Sequence, residues 1–300
     1  MSKDTFMNPD YKPDKNTRQE IEKLHDEGVS LSGIYLKYAD MKNTKLINVD
    51  LSGSDLTRAD FSGASMYGAN LEGANLFKAN FEGANLKSAN LKKCDLLGTD
   101  FSNTKLNNVD WGEGHKILNE QQAEAAIQGG NAEKAKEKYR ESEDIYRALK
   151  ISLKTQTLGD DVGKFFEREM IARRKQMSKY SPLRIISKLA HLTIGYGEKI
   201  GNIIYTVFGI ITVCTFLYGI EGVRYGTKII GFGAEHLQDG ISATIGNLFY
   251  FSVVVFTTVG FGDIAPIGPL GKIIVIIEGI IGGVIMAILI IALYKRLMDR

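Results

Sequence analysis

The sequence predicts a multidomain chain in three parts. These are a repeat region with a period of five, a helical linker, and an all-α membrane domain with two spans and a re-entrant segment between them. Three observations predict it. A large apolar residue stands at every fifth position from Leu31 to Trp111, seventeen times without a break. Two long runs, Ile203 to Ile220 and Ile273 to Tyr294, are apolar and carry no charge except Glu278. Between those runs lies Thr257-Thr258-Val259-Gly260-Phe261-Gly262-Asp263, in which glycines alternate with larger residues.

Composition narrows the function classes. In 300 residues, 37 basic side chains face 35 acidic ones, a net charge of +2. Nothing in that balance argues for a nucleic-acid partner. Cys94 and Cys214 are the only cysteines, too few for a disulfide framework or a zinc site. His25, His115, His191 and His236 share no metal-ligand spacing. No P-loop, metal motif or nucleophile elbow occurs, so neither an enzyme nor a cofactor is expected. There is also no repeated-arginine voltage sensor. The first sixteen residues are polar and lack the apolar run of a cleaved signal peptide, so the leading part is expected to stay in the cytoplasm.

Residues 1–28 read as a lead and a capping element. Residues 1–16 are expected to be disordered. Thr17-Arg18-Gln19-Glu20 has the pattern of a capping box, continued by Ile21 and Leu24 and ended by Gly28, one short helix that could lid the repeat region.

Residues 29–113 hold the repeat. Two positions before most of the large apolar residues stands a small one: Ala59, Ala64, Ala69, Ala74, Ala79, Ala84, Ala89 and Cys94. The residue between is often Asp or Asn, as at Asp60, Asn70 and Asn80. A period of five is neither that of a helix nor that of a plain strand. The pattern A-(D/N)-L-x-x resembles the pentapeptide-repeat family. That resemblance implies a right-handed quadrilateral β-helix with the large and small apolar residues inside. Four repeats make one coil, so seventeen make about four coils, each rising roughly 4.8 Å at ordinary strand spacing. Cys94 takes an alanine slot and reads as a buried, inert thiol. Ten acids against nine bases in this region leave it nearly neutral, which argues against the DNA mimicry practised by some members of the family. A scaffold or regulatory role remains, with an unknown cytoplasmic ligand or protein as partner.

Residues 114–181 predict a cytoplasmic helical linker. One helix runs from Asn119 to Gln128 and stops at Gly129-Gly130. A second, capped by Asn131, reaches about Thr155. After a turn at Thr157-Leu158-Gly159, a third runs from Asp161 to about Lys179. Tyr139, Ile145, Tyr146, Leu149 and Leu153 could face Phe165, Phe166, Met170 and Ile171 as a hairpin. Glu167, Glu169, Arg173, Arg174 and Lys175 read as a solvated face.

Residues 182–300 form the membrane part. Leu183 to Ile194 fits an amphipathic helix on the membrane surface or a buried connector. Ile203–Ile220 and Ile273–Tyr294 are each long enough to cross a bilayer. Ile241 to Gly262 is also uncharged, but its last residues are glycine-rich and the sixteen before Thr257 are short for a crossing. Basic residues flank both outer ends of the domain: Arg173, Arg174, Lys175, Lys179, Arg184, Lys188 and Lys199 before it, Lys295, Arg296 and Arg300 behind it. The linker from 221 to 240 sets Glu221, Glu235 and Asp239 against Arg224 and Lys228. The positive-inside rule then puts both ends in the cytoplasm and makes the number of spans even. Two spans plus a re-entrant pore helix over 246–256 satisfy it. Irregular backbone at membrane depth is tolerable where it lines water.

Alternating glycines allow left-handed dihedrals at every second residue, so successive carbonyls can turn to one side and replace the water around a potassium ion. The string T-T-V-G-F-G-D resembles the signature of two-span potassium channels, over about Tyr250 to Gly282, with Phe261 where tyrosine is commoner. The resemblance implies a homotetramer around the pore axis, in the cell (inner) membrane. It makes Thr258, Val259, Gly260, Phe261 and Gly262 the filter (258–262), with K+ at Thr258, Val259, Gly260 and Phe261. Tyr250 and Phe251 take positions of the aromatic cuff, and the Tyr250 hydroxyl is expected on Asp263. Val254 stands where some bacterial channels place a carboxyl, so carboxyl-coupled inactivation is not expected. Gly282 falls at the hinge position, with close packing as the other reading. Met286, Ile290 and Tyr294 recur every four residues and are expected to line a gate. Glu278, an intramembrane carboxylate, is expected near the inner end of the filter, tuning conductance. Two alternatives stand beside this reading: a weakly selective cation channel, and a membrane-tethered scaffold with a vestigial pore.

Overall fold

The computed structural model describes residues 2–156, 159–233 and 240–298. The turn expected at Thr157-Leu158, the linker acids Glu235 and Asp239, and Arg300 lie outside the described residues. The chain divides into two compact units at Ile185/Ile186.

In the first unit, backbone bridges join residue i to residue i+20 in parallel, from Tyr35↔Asp55 to Asn90↔Asp110, at every fifth position. Twenty residues therefore make one coil with four sides, a quadrilateral β-helix. All seventeen large apolar residues of the series are buried, and so are the alanines two positions before them. Each corner turns at the second residue after the large one. Every fifth residue from Gly33 to Asn108 has φ between 54° and 73°. Glycine takes this left-handed conformation without strain, which accounts for Gly53, Gly63, Gly73 and Gly83; Asn43, Asn48 and Asn108 are the next most tolerant. The Asp and Asn residues between the interior positions bond along the coil stack. Asn70 Nδ2 donates to Asp50 at 3.1 Å, and Asn90 Nδ2 donates to Asn70 at 3.1 Å. At one interior corner Phe61, Phe81 and Phe101 stack at 5.3 and 5.8 Å between centroids.

Both ends are covered, as a stack of open strand edges requires. At the start, α1 (Lys3–Phe6) buries Phe6 completely, and the Phe6 carbonyl accepts from Tyr35 N at 2.8 Å. The disorder expected for residues 1–16 is thus corrected: one aromatic ring, packed edge-on against Tyr11 at 4.9 Å, anchors the lead. Helix α2 (Thr17–Asp26) buries Ile21 and Leu24. Its capping differs from the expected box. Asn16 holds the N-cap position without a side-chain bond, while Asp14 accepts the N–H groups of Asn16 and Thr17.

At the other end stand α3 (Leu118–Gln128), α4 (Ala132–Lys154) and α5 (Gly159–Gln176). Asn131 caps α4 by accepting from Lys134 N at 3.0 Å. Trp111 meets Phe165 of α5 edge-on at 5.2 Å, and Phe165 meets Tyr146 of α4 at 5.8 Å, so the aromatic stack continues into the hairpin. Phe165 and Ala172 carry the burial of α5; Phe166, Met170 and Ile171 are half-buried. Glu169 departs from the solvated face expected of it. It is buried and bridges Arg147 at 3.2 Å and Lys150 at 2.6 Å on α4.

Helix α6 (Pro182–Ile194) carries the division between the units and exposes Leu183, Ile185, Ile186, Leu189 and Leu192. The second unit then builds on α7 (Ile200–Glu221), α8 (Ile241–Phe256) and α9 (Pro269–Met298). Helices α7 and α9 are long and apolar enough to cross a membrane; α8 is shorter. It begins five residues before the expected pore helix, at Ile241 rather than Gly246. The segment after α7 holds a hairpin that the hydropathy pattern does not announce. Strands β1 (Val223–Tyr225) and β2 (Lys228–Ile230) turn at Gly226, and β1 also pairs antiparallel with β3 (Ile264–Pro266) in the order β2-β1-β3.

Candidate functional site

Helix α8 ends in a backbone arrangement that positions the Thr-Gly string. Thr258 N donates to Val255 O at 3.0 Å and Val259 N donates to Val254 O at 3.1 Å, the paired bonds of a Schellman motif. Its left-handed position, usually glycine, is Thr258 at φ 57°. A β-branched residue there is strained, a condition that clusters at working sites. From Thr258 on, positive φ recurs at every second residue: Gly260 at 58° and Gly262 at 77°. Val259 and Phe261, between them, are 54% and 69% exposed, so neither is held in this protomer's core. The string is therefore an irregular segment leaving a helix C-terminus, where the macrodipole favours a cation. Beyond it, β3 pairs Tyr225↔Ile264 and Val223↔Pro266, tying the string's far end to the end of α7.

Tyr250 and Asp263 are brought together: the Tyr250 hydroxyl donates to Asp263 Oδ2 at 3.0 Å. Phe251 is buried against the Tyr218 ring of α7, at 4.7 Å and edge-on, a contact between α7 and α8. The phase of α8 explains this. Neighbouring residues point about 100° apart on a helix, so Tyr250 and Phe251 cannot share a direction.

Glu278 is also corrected. It does not face a cavity at the inner end of the string; it is 1% exposed, enclosed by α7, α8 and α9. The Tyr218 hydroxyl donates to its Oε2 at 2.5 Å, and its Oε1 lies 2.5 Å from Ser252 Oγ. A carboxyl therefore packs against α8 although Val254 supplies none. It comes from α9 rather than from α8 itself.

Gly282 packs as tightly as a helix can. A Cβ there would lie 2.1 Å from the Phe256 carbonyl oxygen, whereas one at Gly283 would meet nothing within 4 Å. Of the two readings of Gly282, close approach is the one this conformation displays. Met286 is half-buried against the cluster of Ile203, Phe256 and Ile285. Ile290 and Tyr294 are each 62% exposed. The exposure of the three thus differs, although a spacing of four keeps them within about 80° of one another on the helix. Glu221 caps α9: Gly271 N donates to its Oε2 at 2.7 Å, a carboxylate at a helix start that no sequence motif marks.

In the first unit, a cleft of about 550 Å³ is lined by Lys92, Lys93, Trp111, Lys116, Glu124 and Arg168 among others. Each of its four cations already has a carboxylate: Asp110, Glu72, Glu124 and Glu120 respectively. Each cation of the cleft is thus paired within the protein. Among the described residues no His, Cys, Asp and Glu cluster could hold a metal ion.

Comparison with known proteins matches this division of the chain. A family model described as "Ion channel" matches residues 226–299, taking in α8, the Thr-Gly string and α9. Eight copies of the pentapeptide repeat match within residues 27–110. Among solved structures, a pentapeptide repeat protein from the cyanobacterium Cyanothece 51142 is 38% identical, over 27% of this chain and 56% of its own, with a TM-score of 0.27. Another from Nostoc PCC 7120 is 27% identical, over 33% of this chain and 78% of its own, with a TM-score of 0.29. A third, from the Arabidopsis thaliana thylakoid lumen, is 32% identical over 25% of this chain and 48% of its own, with a TM-score of 0.15. No curated protein matches the chain. The chain joins a pentapeptide-repeat domain, within residues 27–110, to a membrane ion-channel domain over residues 226–299.

Proposed function

We propose that this chain is the subunit of a potassium-selective channel, conducting K+ passively through a homotetrameric pore with no chemical step. The observation that carries the proposal is the left-handed backbone at Thr258, Gly260 and Gly262, alternating with Val259 and Phe261 at the end of α8. Carbonyl rows of this kind exchange a potassium ion's water for protein oxygens, but a single row encircles nothing. A closed ring of copies completes the coordination, and four-fold symmetry is the simplest closure. Residues 258–262 are then the filter, with Tyr250 and Asp263 bonded beside its mouth. Ile290 and Tyr294 are free in the protomer to line a lower pore.

The basic residues flanking α7 and α9 favour a cytoplasmic location for both ends, in the inner membrane of a cell. The repeat domain then lies in the cytoplasm as a scaffold or regulatory part. Potassium flux from liposomes holding the purified full-length chain tests the reading. Flux that a sodium gradient drives equally well points to a weakly selective cation channel, and no flux of either ion refutes conduction.

A further inference from the structure

Three helices meet at one carboxyl. Glu278 of α9 is buried between Tyr218 of α7 and Ser252 of α8, each 2.5 Å from a different carboxyl oxygen. Cys214 of α7 is the other titratable group facing it; α8 presents only the Ser252 hydroxyl, and no cation among the described residues pairs with it. A bare carboxylate in such a place is costly, and an intramembrane acid is normally paired or shared.

Two hydroxyl protons and the Cys214 thiol surround the carboxyl. Tyr218 has one hydroxyl proton, and its oxygen reaches Glu278 Oε2. Ser252 also has one, and its Oγ lies near two oxygens: Glu278 Oε1, and the Ile211 carbonyl at 3.1 Å. The Ile211 carbonyl has no proton to offer, and it already takes the Thr215 hydroxyl at 2.7 Å. Ser252 can therefore serve only one of its two neighbours as donor. If it donates to Ile211, the short contact to Oε1 requires a proton on Glu278. If Glu278 is ionised, Ser252 donates to Oε1 and its 3.1 Å approach to the Ile211 carbonyl carries no proton, which the bond from Thr215 already offsets. What favours the neutral acid is its burial at 1% exposure, with two oxygen atoms at 2.5 Å and no cation among the described residues beside it.

We infer that Glu278 is a proton-bearing positioning residue. It donates to Ser252 Oγ and accepts from Tyr218, and so latches α8 to α7 and α9 six residues before Thr258, holding the filter in its conducting form. The effect on the filter rests on the potassium-channel reading; the proton does not.

The test pairs two measurements on the purified full-length protein. Infrared spectra report the proton: a carboxylic-acid C=O band, above the amide bands, is expected in the wild type and is lost in Glu278→Gln. Potassium currents in planar bilayers report the latch. Ser252→Ala and Tyr218→Phe each remove one hydrogen bond and are expected to speed inactivation about two- to tenfold. Glu278→Gln can reproduce the neutral acid's bonds, donating to Ser252 and accepting from Tyr218. It is expected to inactivate like the wild type and to lose any dependence of inactivation on pH, whereas Glu278→Ala inactivates fast. Absence of the acid band overturns the proton assignment. A band with inactivation unchanged in Ser252→Ala and Tyr218→Phe, or with Glu278→Gln as fast as Glu278→Ala, overturns the latch. A band in a wild type that passes no potassium refutes the channel reading, and the positioning role with it, while the proton assignment stands.

Discussion

Gly282→Ala is the substitution whose consequence the structure specifies most narrowly. Its added methyl would lie 2.1 Å from the Phe256 carbonyl oxygen, 2.9 Å from its carbon and 3.0 Å from its Cα. Carbon and oxygen ordinarily approach to about 3.3 Å, so the shortfall is roughly 1.2 Å. All three atoms are backbone, at the last residue of α8, so no rotamer change relieves the clash. Either α9 or the end of α8 must move by about an ångström. Inserting a methyl into such a contact costs about 1–3 kcal/mol. Replacing glycine by alanine within a helix returns about 0.5–1 kcal/mol. The net is a loss of up to about 2.5 kcal/mol, with a displacement that begins two residues before Thr258. Gly283→Ala is the matched control. It carries the same helix gain and meets nothing within 4 Å in its own chain, so it is expected to be neutral or slightly stabilising. Thermal unfolding of the membrane unit and potassium flux from liposomes should separate the pair, with Gly282→Ala lower in both. Equal melting and equal flux for the two variants would refute the reasoning, since only the contact with Phe256 distinguishes them.

The same geometry sets the outcome of other perturbations. Phe81→Ala removes the middle ring of the interior stack and should cost the repeat domain about 3–5 kcal/mol, read by denaturant unfolding through the fluorescence of Trp111, the only tryptophan. Burial pushes the Cys94 thiol up to about 12, and its Sγ donates to Leu71 O at 2.9 Å, so in a Cys214→Ser background a maleimide at pH 8 should label the chain only after denaturation. Burial also raises the Glu120 carboxyl above its usual range, against the opposing pull of the Tyr146 hydroxyl and Arg168. The folded state then holds that proton more tightly than the unfolded one, so this contribution to stability is present below about pH 4.3 and fades as pH rises through the raised value. Trp111-detected melting of Glu120→Gln should lose that part of the decline, and a parallel pH profile for variant and wild type would exclude it. Tyr250→Phe deletes the bond to Asp263 and is expected to change inactivation; unaltered currents would argue that the pair is idle.

What the sequence made legible is what a period can carry. The interior of the β-helix repeats because each coil must fill the same space, so Leu31 to Trp111 announce it. The corners are less visible, because the left-handed residue is glycine at some turns and Tyr38, Arg58, Lys78 or Ser88 at others. Features without a period escape. Phe6 is a single ring in a polar lead, and β1 and β2 are three residues each, below the length at which alternation can be counted. The Val-Arg-Tyr-Gly-Thr-Lys-Ile-Ile string with its central glycine was nevertheless a hairpin signal.

The row Glu278, Gly282, Met286, Ile290, Tyr294 shows how far a spacing of four turns around a helix. Residues four apart on an α-helix are about 400° apart, so each step drifts about 40° around the axis. Gly282 faces Phe256 of α8, and Glu278, one step before it, shares that side and meets Ser252. Met286 has turned partly away and is half-buried, while Ile290 and Tyr294, about 120° and 160° from Glu278, have reached the open surface. The expectation for Glu278 rests on its being an intramembrane acid, without regard to phase. The drift separates the five into a clamp against α8 and an exposed lower face. It follows that polarity alone does not tell which way an intramembrane acid points. Its phase relative to a tightly packed glycine does, because a glycine without room for a methyl marks the side that touches the neighbouring helix. On α9 that side is the one that carries Glu278.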